Sequence, residues 1–160
     1  KSFTIPKGVT KIEEWTFNAT GFSHITIPDN VKEIGYRAFA HTPIQSIVIP
    51  GTLKKIAEIA FWCCKSLEEV TICNGVEGIG RKAFSECVNL KNIDLGDTIK
   101  LIDEQAFEEC TSLERITIPR SVKEIKWRAF NKCPRLVDVA VPADTVIDEQ
   151  AFNCHHINKY

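Results

Sequence analysis

The stretch that decides the fold runs from Ile102 to Ile125, I-D-E-Q-A-F-E-E-C-T-S-L-E-R-I-T-I-P-R-S-V-K-E-I, and the rest of the chain restates it. Its Ala106-Phe107 pair recurs as Ala38-Phe39, Ala60-Phe61, Ala83-Phe84, Ala129-Phe130 and Ala151-Phe152, with Thr16-Phe17 as an earlier variant. Those seven phenylalanines stand 22, 22, 23, 23, 23 and 22 residues apart. A fixed period of this length marks a stack of coils, in which each coil can bury its apolar face only against its neighbours.

A second marker, apolar-x-apolar-Pro, gives Phe3-Thr4-Ile5-Pro6, Ile25-Thr26-Ile27-Pro28, Ile47-Val48-Ile49-Pro50, Ile116-Thr117-Ile118-Pro119 and Val139-Ala140-Val141-Pro142. Alternation of apolar and polar residues is the period of a half-buried strand, and proline, lacking an N–H, ends the ladder. Two central coils keep the alternation, as Val70-Thr71-Ile72 and Ile93-Asp94-Leu95, but put Cys73 and Gly96 in the proline position. Beyond Ile102, the residues Ala106, Cys110 and Leu113 fall at i+4, i+8 and i+11, which predicts a short helix with one apolar stripe. Between strand and helix, segments such as Val76 to Ile79 and Val122 to Ile125 should run extended along the far side. Connections this short return the chain to the same side each time, so the strands must be parallel. The inward set of one coil is Ile93, Leu95, Ile99, Ile102, Ala106, Phe107, Cys110 and Leu113.

The expected fold is therefore an α/β repeat solenoid, a single domain over residues 1–160 of about seven 22–23-residue repeats, with short parallel strands on one face and short helices on the other. The pattern L-x-x-I-x-I/L-P, then V-x-x-I-x-x-x-A-F-x-x-C-x-x-L, resembles the BspA-like subclass of leucine-rich repeats along essentially the whole chain. The resemblance implies a right-handed leucine-rich-repeat coil. It also implies a cell-surface or secreted protein that acts in adhesion through protein contacts, with a host-matrix or cell-surface protein as ligand. The chain starts inside a strand motif at Lys1 and reaches Ile157-Asn158-Lys159-Tyr160 where an eighth strand would open, so it reads as an excerpt of a longer protein. Strands at the two ends should offer edges for continuation or for end-to-end self-association.

Composition is that of an ordinary soluble chain, 44% hydrophobic and 26% charged, with net charge −1. The 20 basic residues are scattered, which argues against nucleic acid as a partner. No apolar run approaches the roughly 18 residues of a bilayer span, so no membrane insertion by this segment is expected. No nucleophile elbow, phosphate loop, zinc-protease helix or EF-hand loop occurs, and the chain reads as a non-enzyme without a cofactor. Acidic pairs such as Asp103-Glu104 and Asp148-Glu149 recur at one phase and read as solvated helix starts, where carboxylates meet the dipole. Trp15, Trp62 and Trp127 fall at different phases and form no common stripe.

Counting back three residues from each coil's closing apolar residue gives a column: Ala19, His41, Cys64, Cys87, Cys110, Cys133 and Cys154. Without C-x-x-C pairs, it reads as a buried stack of reduced thiols and not as a metal site. Cys63 and Cys73 lie outside it, and an odd total of seven argues against a disulfide framework. Cys154-His155-His156 reads as a fraying terminus, with no metal assigned.

Candidate binding residues are the outward positions of the strands. If the strands stack in register, His24, Ser46, Glu69, Asn92, Arg115 and Asp138 form one column beside a second that includes Thr71, Asp94 and Thr117. The first column changes chemistry at every coil, which suits a recognition surface better than the alternative, a purely structural stalk or spacer. Glu69, Asp94 and Asp138 around Arg115 predict a mildly acidic centre that prefers a basic protein patch.

Overall fold

A computed structural model of the chain describes residues 1–153 and 157–160. Strands alternate between two faces of a solenoid. In chain order they are β1 (Ser2–Thr4) and β2 (Lys11–Ile12), β3 (His24–Thr26) and β4 (Glu33–Ile34), β5 (Ser46–Ile49) and β6 (Lys55–Ile56), β7 (Glu69–Ile72) and β8 (Gly78–Ile79). Then come β9 (Asn92–Asp94) and β10 (Leu101–Ile102), β11 (Arg115–Thr117) and β12 (Glu124–Ile125), β13 (Asp138–Val141) and β14 (Val146–Ile147), and finally β15 (Ile157–Lys159). Every paired strand is parallel, as the short connections require. The odd-numbered strands make the first face, and β15 pairs with β13 where an eighth strand was expected. On the second face, β6, β8, β10, β12 and β14 form one continuous sheet.

The third side of each coil corrects the expected α/β class: no helix occurs among the described residues. In the segment read as a helix, Gln105 and Glu109 take left-handed φ values of 56° and 63°, which interrupts any right-handed turn. The N–H groups then split their bonds. Those of Gln105, Phe107 and Glu109 donate to the carbonyls of Trp127, Ala129 and Asn131 on the next coil, at 3.0, 2.7 and 2.9 Å. Those of Ala106, Glu108 and Cys110 turn back three residues, to Asp103, Gln105 and Phe107. The same left-handed pairs recur at Arg37 and His41, Ile59 and Cys63, Lys82 and Glu86, and Arg128 and Lys132. Each such φ costs on the order of 1–2 kcal/mol. A carbonyl on the adjacent coil satisfies the donor as well as an i−4 carbonyl would, and the coils close up enough for their side chains to stack.

Stacking is the core. Phe17, Phe39, Phe61, Phe84, Phe107, Phe130 and Phe152 form one column with centroids 4.8–5.4 Å apart and interplanar angles of 2–13°. The inward set is as expected: Ile99, Ile102, Ala106, Phe107, Cys110 and Leu113 are fully enclosed. Ile93 is the exception, being only half-buried. Outside, ion pairs run from coil to coil, among them Lys91–Glu68 and Lys100–Glu77, both at 2.8 Å. Exposed pairs of this kind contribute at most about 1 kcal/mol each. Asp103 belongs to this lattice and marks no helix start: it accepts the Glu104 N–H at 2.9 Å and faces Lys126 at 3.3 Å.

The cysteine column is buried, and its first members are corrected. Cys64, Cys87, Cys110 and Cys133 donate their S–H groups to the carbonyls of Phe39, Phe61, Phe84 and Phe107, at 3.2, 3.3, 3.3 and 3.2 Å. Beside Cys64 the next position is filled by Thr42, whose hydroxyl lies 3.3 Å from the sulfur and donates to the Phe39 carbonyl. Thr20 bonds the Phe17 carbonyl in the same way. His41 is instead exposed and packs on Trp62 at 4.6 Å. The segment from Phe39 to Ile44 is a residue shorter than that from Phe61 to Leu67. The shortening falls after the column, so counting back from the closing apolar residue lands one position early. Cys63, Cys64, Cys73, Cys87 and Cys110 carry no disulfide, and Cys73 alone of these is partly exposed. Cys154, His155 and His156 lie outside the described residues.

Burial pushes the thiols of Cys87 and Cys110 well above the ordinary value of 9.0. A group held protonated by the fold contributes stability that is fully present below its unfolded pKa and is lost as pH rises toward its folded pKa. Stability should therefore be level at neutral pH and decline above about pH 9, read as a falling urea midpoint. A midpoint that stays level up to pH 10.5 would contradict the buried thiol column. In the native state at neutral pH, Cys110 should resist a thiol reagent that labels Cys73.

Candidate functional site

The local rule that builds the strand face is simple: inward Ile or Val, outward polar residue, register fixed by the coil length. Glu69 pairs with Ser46 on one side and Asn92 on the other, and Thr71 pairs with Val48 and Asp94. Arg115 pairs with Asp138, and Thr117 with Ala140. His24 pairs with Ser2. All nine candidate residues, His24, Ser46, Glu69, Thr71, Asn92, Asp94, Arg115, Thr117 and Asp138, are exposed on this face.

They do not form one unbroken surface. The face divides into β1-β3, β5-β7-β9 and β11-β13-β15. Between β3 and β5 the break is shallow, since the Gln45 N–H still reaches the Ser23 carbonyl at 3.3 Å. His24 and Ser46 border a recess of about 410 Å3 there. Between β9 and β11 the break is deeper. No ladder joins them, and hardly any of their Cα atoms approach within 8 Å, whereas every ladder-paired neighbour on this face does. The second face stays closed at the same level, with Leu101 opposite Glu124 and Ile102 opposite Ile125. The coils thus part on one side only.

The parting leaves a cleft of about 840 Å3, within the size range of ordinary ligand sites. Glu69, Thr71, Asn92, Asp94, Arg115 and Thr117 all line it. Asp138 lies one strand beyond. Four polar lining residues escaped the sequence reading: Lys91, Asp97, Arg120 and Tyr160. A signal for one of them was present, because Gly96 replaces the strand-ending proline just before Asp97. Gly96 takes φ +58°, its N–H is held by the Asp94 carboxylate at 3.0 Å, and the Asp97 N–H is held by Asn74 Oδ1 at 2.7 Å.

Charge in the cleft corrects the expectation of an acidic centre. Glu69, Asp94 and Asp97 stand on the β7-β9 wall, while Arg115 and Arg120 stand on the β11 wall. Lys91 is paired with Glu68 at 2.8 Å. The site is polarised across its width. Arg120 further lies 5.4 Å from the Tyr160 ring, whose hydroxyl donates to the Ile118 carbonyl at 2.6 Å.

On the turn side, Arg37 sits between Trp15 and Trp62, 4.6 and 4.7 Å from their ring centroids, while Trp127 stacks separately with Arg128. Two of the three tryptophans therefore share a cation despite their different phases. Among the described residues no group of three or more His, Cys, Asp or Glu is placed to hold a metal ion. None of the described residues forms a helix long and apolar enough to cross a membrane.

These features define a parallel solenoid of leucine-rich-repeat type with a cleft in its strand face. The chain belongs to the BspA-type leucine-rich repeat family: the profile of that repeat region matches residues 1–100 and 77–160, in six copies. Among solved structures, a leucine-rich repeat protein of Treponema pallidum is 32% identical over 69% of this chain and 55% of its own, with a TM-score of 0.65. A leucine-rich repeat protein from Bacteroides ovatus is 27% identical over 92% of this chain and 44% of its own, with a TM-score of 0.69. A leucine rich cell surface protein from Faecalibacterium prausnitzii shares the fold, with a TM-score of 0.62 at 24% identity over 99% of this chain and 59% of its own. The chain spans about half the length of these relatives. A comparison with curated protein sequences finds no match.

Proposed function

We propose that this chain is a non-enzymatic recognition module of a cell-surface or secreted protein, and that its strand face binds another protein, a host-matrix or cell-surface component. The observation that carries this reading is the β9–β11 cleft, lined by six of the nine candidate outward residues, among them Glu69, Asn92 and Arg115 of the column that changes at every coil. A spacer has no use for a break in its sheet, which forfeits ladder bonds; a binding surface gains concavity and polar groups from it. The likeness to a protein described as a cell-surface protein supports the location.

The test is capture of the chain by immobilised extracellular-matrix and cell-surface proteins. Reversing Glu69→Lys and Asp94→Lys together should weaken the captured interaction roughly tenfold or more, because like charges then meet where opposite ones did. Glu69→Lys alone should leave the urea midpoint nearly unchanged, whereas Asp94→Lys also gives up the bond to the Gly96 N–H and should lower it slightly. Reversing Arg81→Glu and Glu104→Lys, on the turn side, should not affect capture. Loss of capture with the turn-side pair and not with the cleft pair would place the site elsewhere. Binding to no ligand in the set, with the fold intact, would favour the spacer.

A further inference from the structure

We propose that the gap between β9 and β11 is a slot for one extended segment of the partner protein, which enters as an added strand bonded along both edges; this rests on the strand-face reading above. The direction of the backbone groups carries the inference. Ile118 donates its N–H to Ala140 on the β13 side, at 2.8 Å. Since successive residues of a strand present their amide groups to opposite sides, those of Arg115 and Thr117 face β9. On β9, the Asn92 N–H turns to Glu68 on the β7 side, at 3.2 Å, so the amide groups of Ile93 face β11. Both edges of the gap thus present main-chain donors and acceptors, and no ladder joins them. Such groups favour pairing with another chain.

The floor says what the segment carries on its inner side. Ile25, Ile47, Val70, Ile116 and Val139, the counterparts of Ile93, are 0–6% exposed, while Ile93 itself is only half-buried. The gap uncovers an apolar side chain that is covered at the same position in the other interior coils; only the end positions, Phe3 and Ile157, are also open. A segment with alternating apolar residues would set one of them over Ile93 and present its polar residues outward, between Asp94 on one wall and Arg115 on the other. A nucleic acid or a sugar would satisfy neither the apolar floor nor the paired main-chain edges. An added strand stands about 4.8 Å from each neighbour, so the proposal requires the coils to open to about twice that on this face while the β10-β12 pairing of the second face holds them together.

A probe is available in the chain's own strand motif. A capped, fluorescein-labelled peptide Ser-His-Ile-Thr-Ile-Pro, the sequence from Ser23 to Pro28, has the required alternation. It should bind the intact chain saturably and slow amide hydrogen exchange at Ile93, Arg115 and Thr117. The same peptide N-methylated at both isoleucines keeps its side chains but loses two donors, and should bind at least about tenfold more weakly. Equal binding of the two peptides, or protection appearing elsewhere, would overturn the slot. So would the absence of binding at millimolar peptide. If the peptide fails while capture of a protein ligand still depends on Glu69 and Asp94, the slot falls and the strand-face reading stands. If capture does not depend on those residues, that reading falls first.

Discussion

Replacing Phe107 by Ala is expected to cost the fold about 3 to 5 kcal/mol, the range for a large aromatic truncated in a close-packed core. Phe107 is fully enclosed, with Phe84 on one face at 5.4 Å and Phe130 on the other at 5.1 Å. Removing its ring leaves a void between two rings that cannot collapse, because each is held by its own coil's bonds to the next. The Phe84 N–H is fixed on Ala106 at 2.8 Å, and the Phe130 N–H on Ala151 at 2.7 Å. Urea unfolding would show the loss as a lower midpoint at unchanged slope. A cost under about 1 kcal/mol would mean that the ring column does not carry the core. Because the rings are in contact along the stack, Phe107→Ala and Phe130→Ala should not add, and the double variant should cost less than the sum.

The second large effect is expected at Gly75. Its φ is +117°, a conformation that L-residues rarely adopt, and a Cβ there would run into the Gly51 carbonyl of the preceding coil. Gly51 in turn has no room for a Cβ against the Asn74 carbonyl. The two turns touch backbone to backbone, so neither can yield as a flexible side chain would. Strain and overpacking together put Gly75→Ala at about 2 to 4 kcal/mol. Gly8 has open space around the position a Cβ would take, and Gly8→Ala should change stability by less than about 0.5 kcal/mol. Similar losses at the two positions would refute the close approach of the coils.

The period of the Ala-Phe marker made the solenoid legible, and the alternation at residues such as Ile116 and Ile118 made the parallel strands legible. The helices were misread for a physical reason. An i, i+4, i+8 stripe at Ile102, Ala106 and Cys110 also arises when left-handed residues four apart, Gln105 and Glu109, turn the chain. The acceptors that stabilise that path lie about one coil away, at Trp127, Ala129 and Asn131, where no local pattern can show them. The alternation showed that the candidate residues point outward from the strands, but the break between them was not visible. Leu90 to Leu95 and Leu113 to Ile118 follow the same motif, and parting of two coils is a property of their stacking. Gly96 in place of proline was the one local sign. The polarised charge of the cleft followed from the break, because it brings Arg120 and Asp97 to the same site as Glu69 and Arg115.

The cleft and the slot both require the strand face to be open between β9 and β11 while its neighbours are paired. Amide hydrogen exchange of the free chain measures this directly. The Arg115 and Thr117 amides should exchange at least about a hundredfold faster than those of Asp138 and Ala140, which occupy the same positions in the next coil and sit in a closed ladder. Equal, slow exchange at all four amides would show that the face is closed, with neither cleft nor slot.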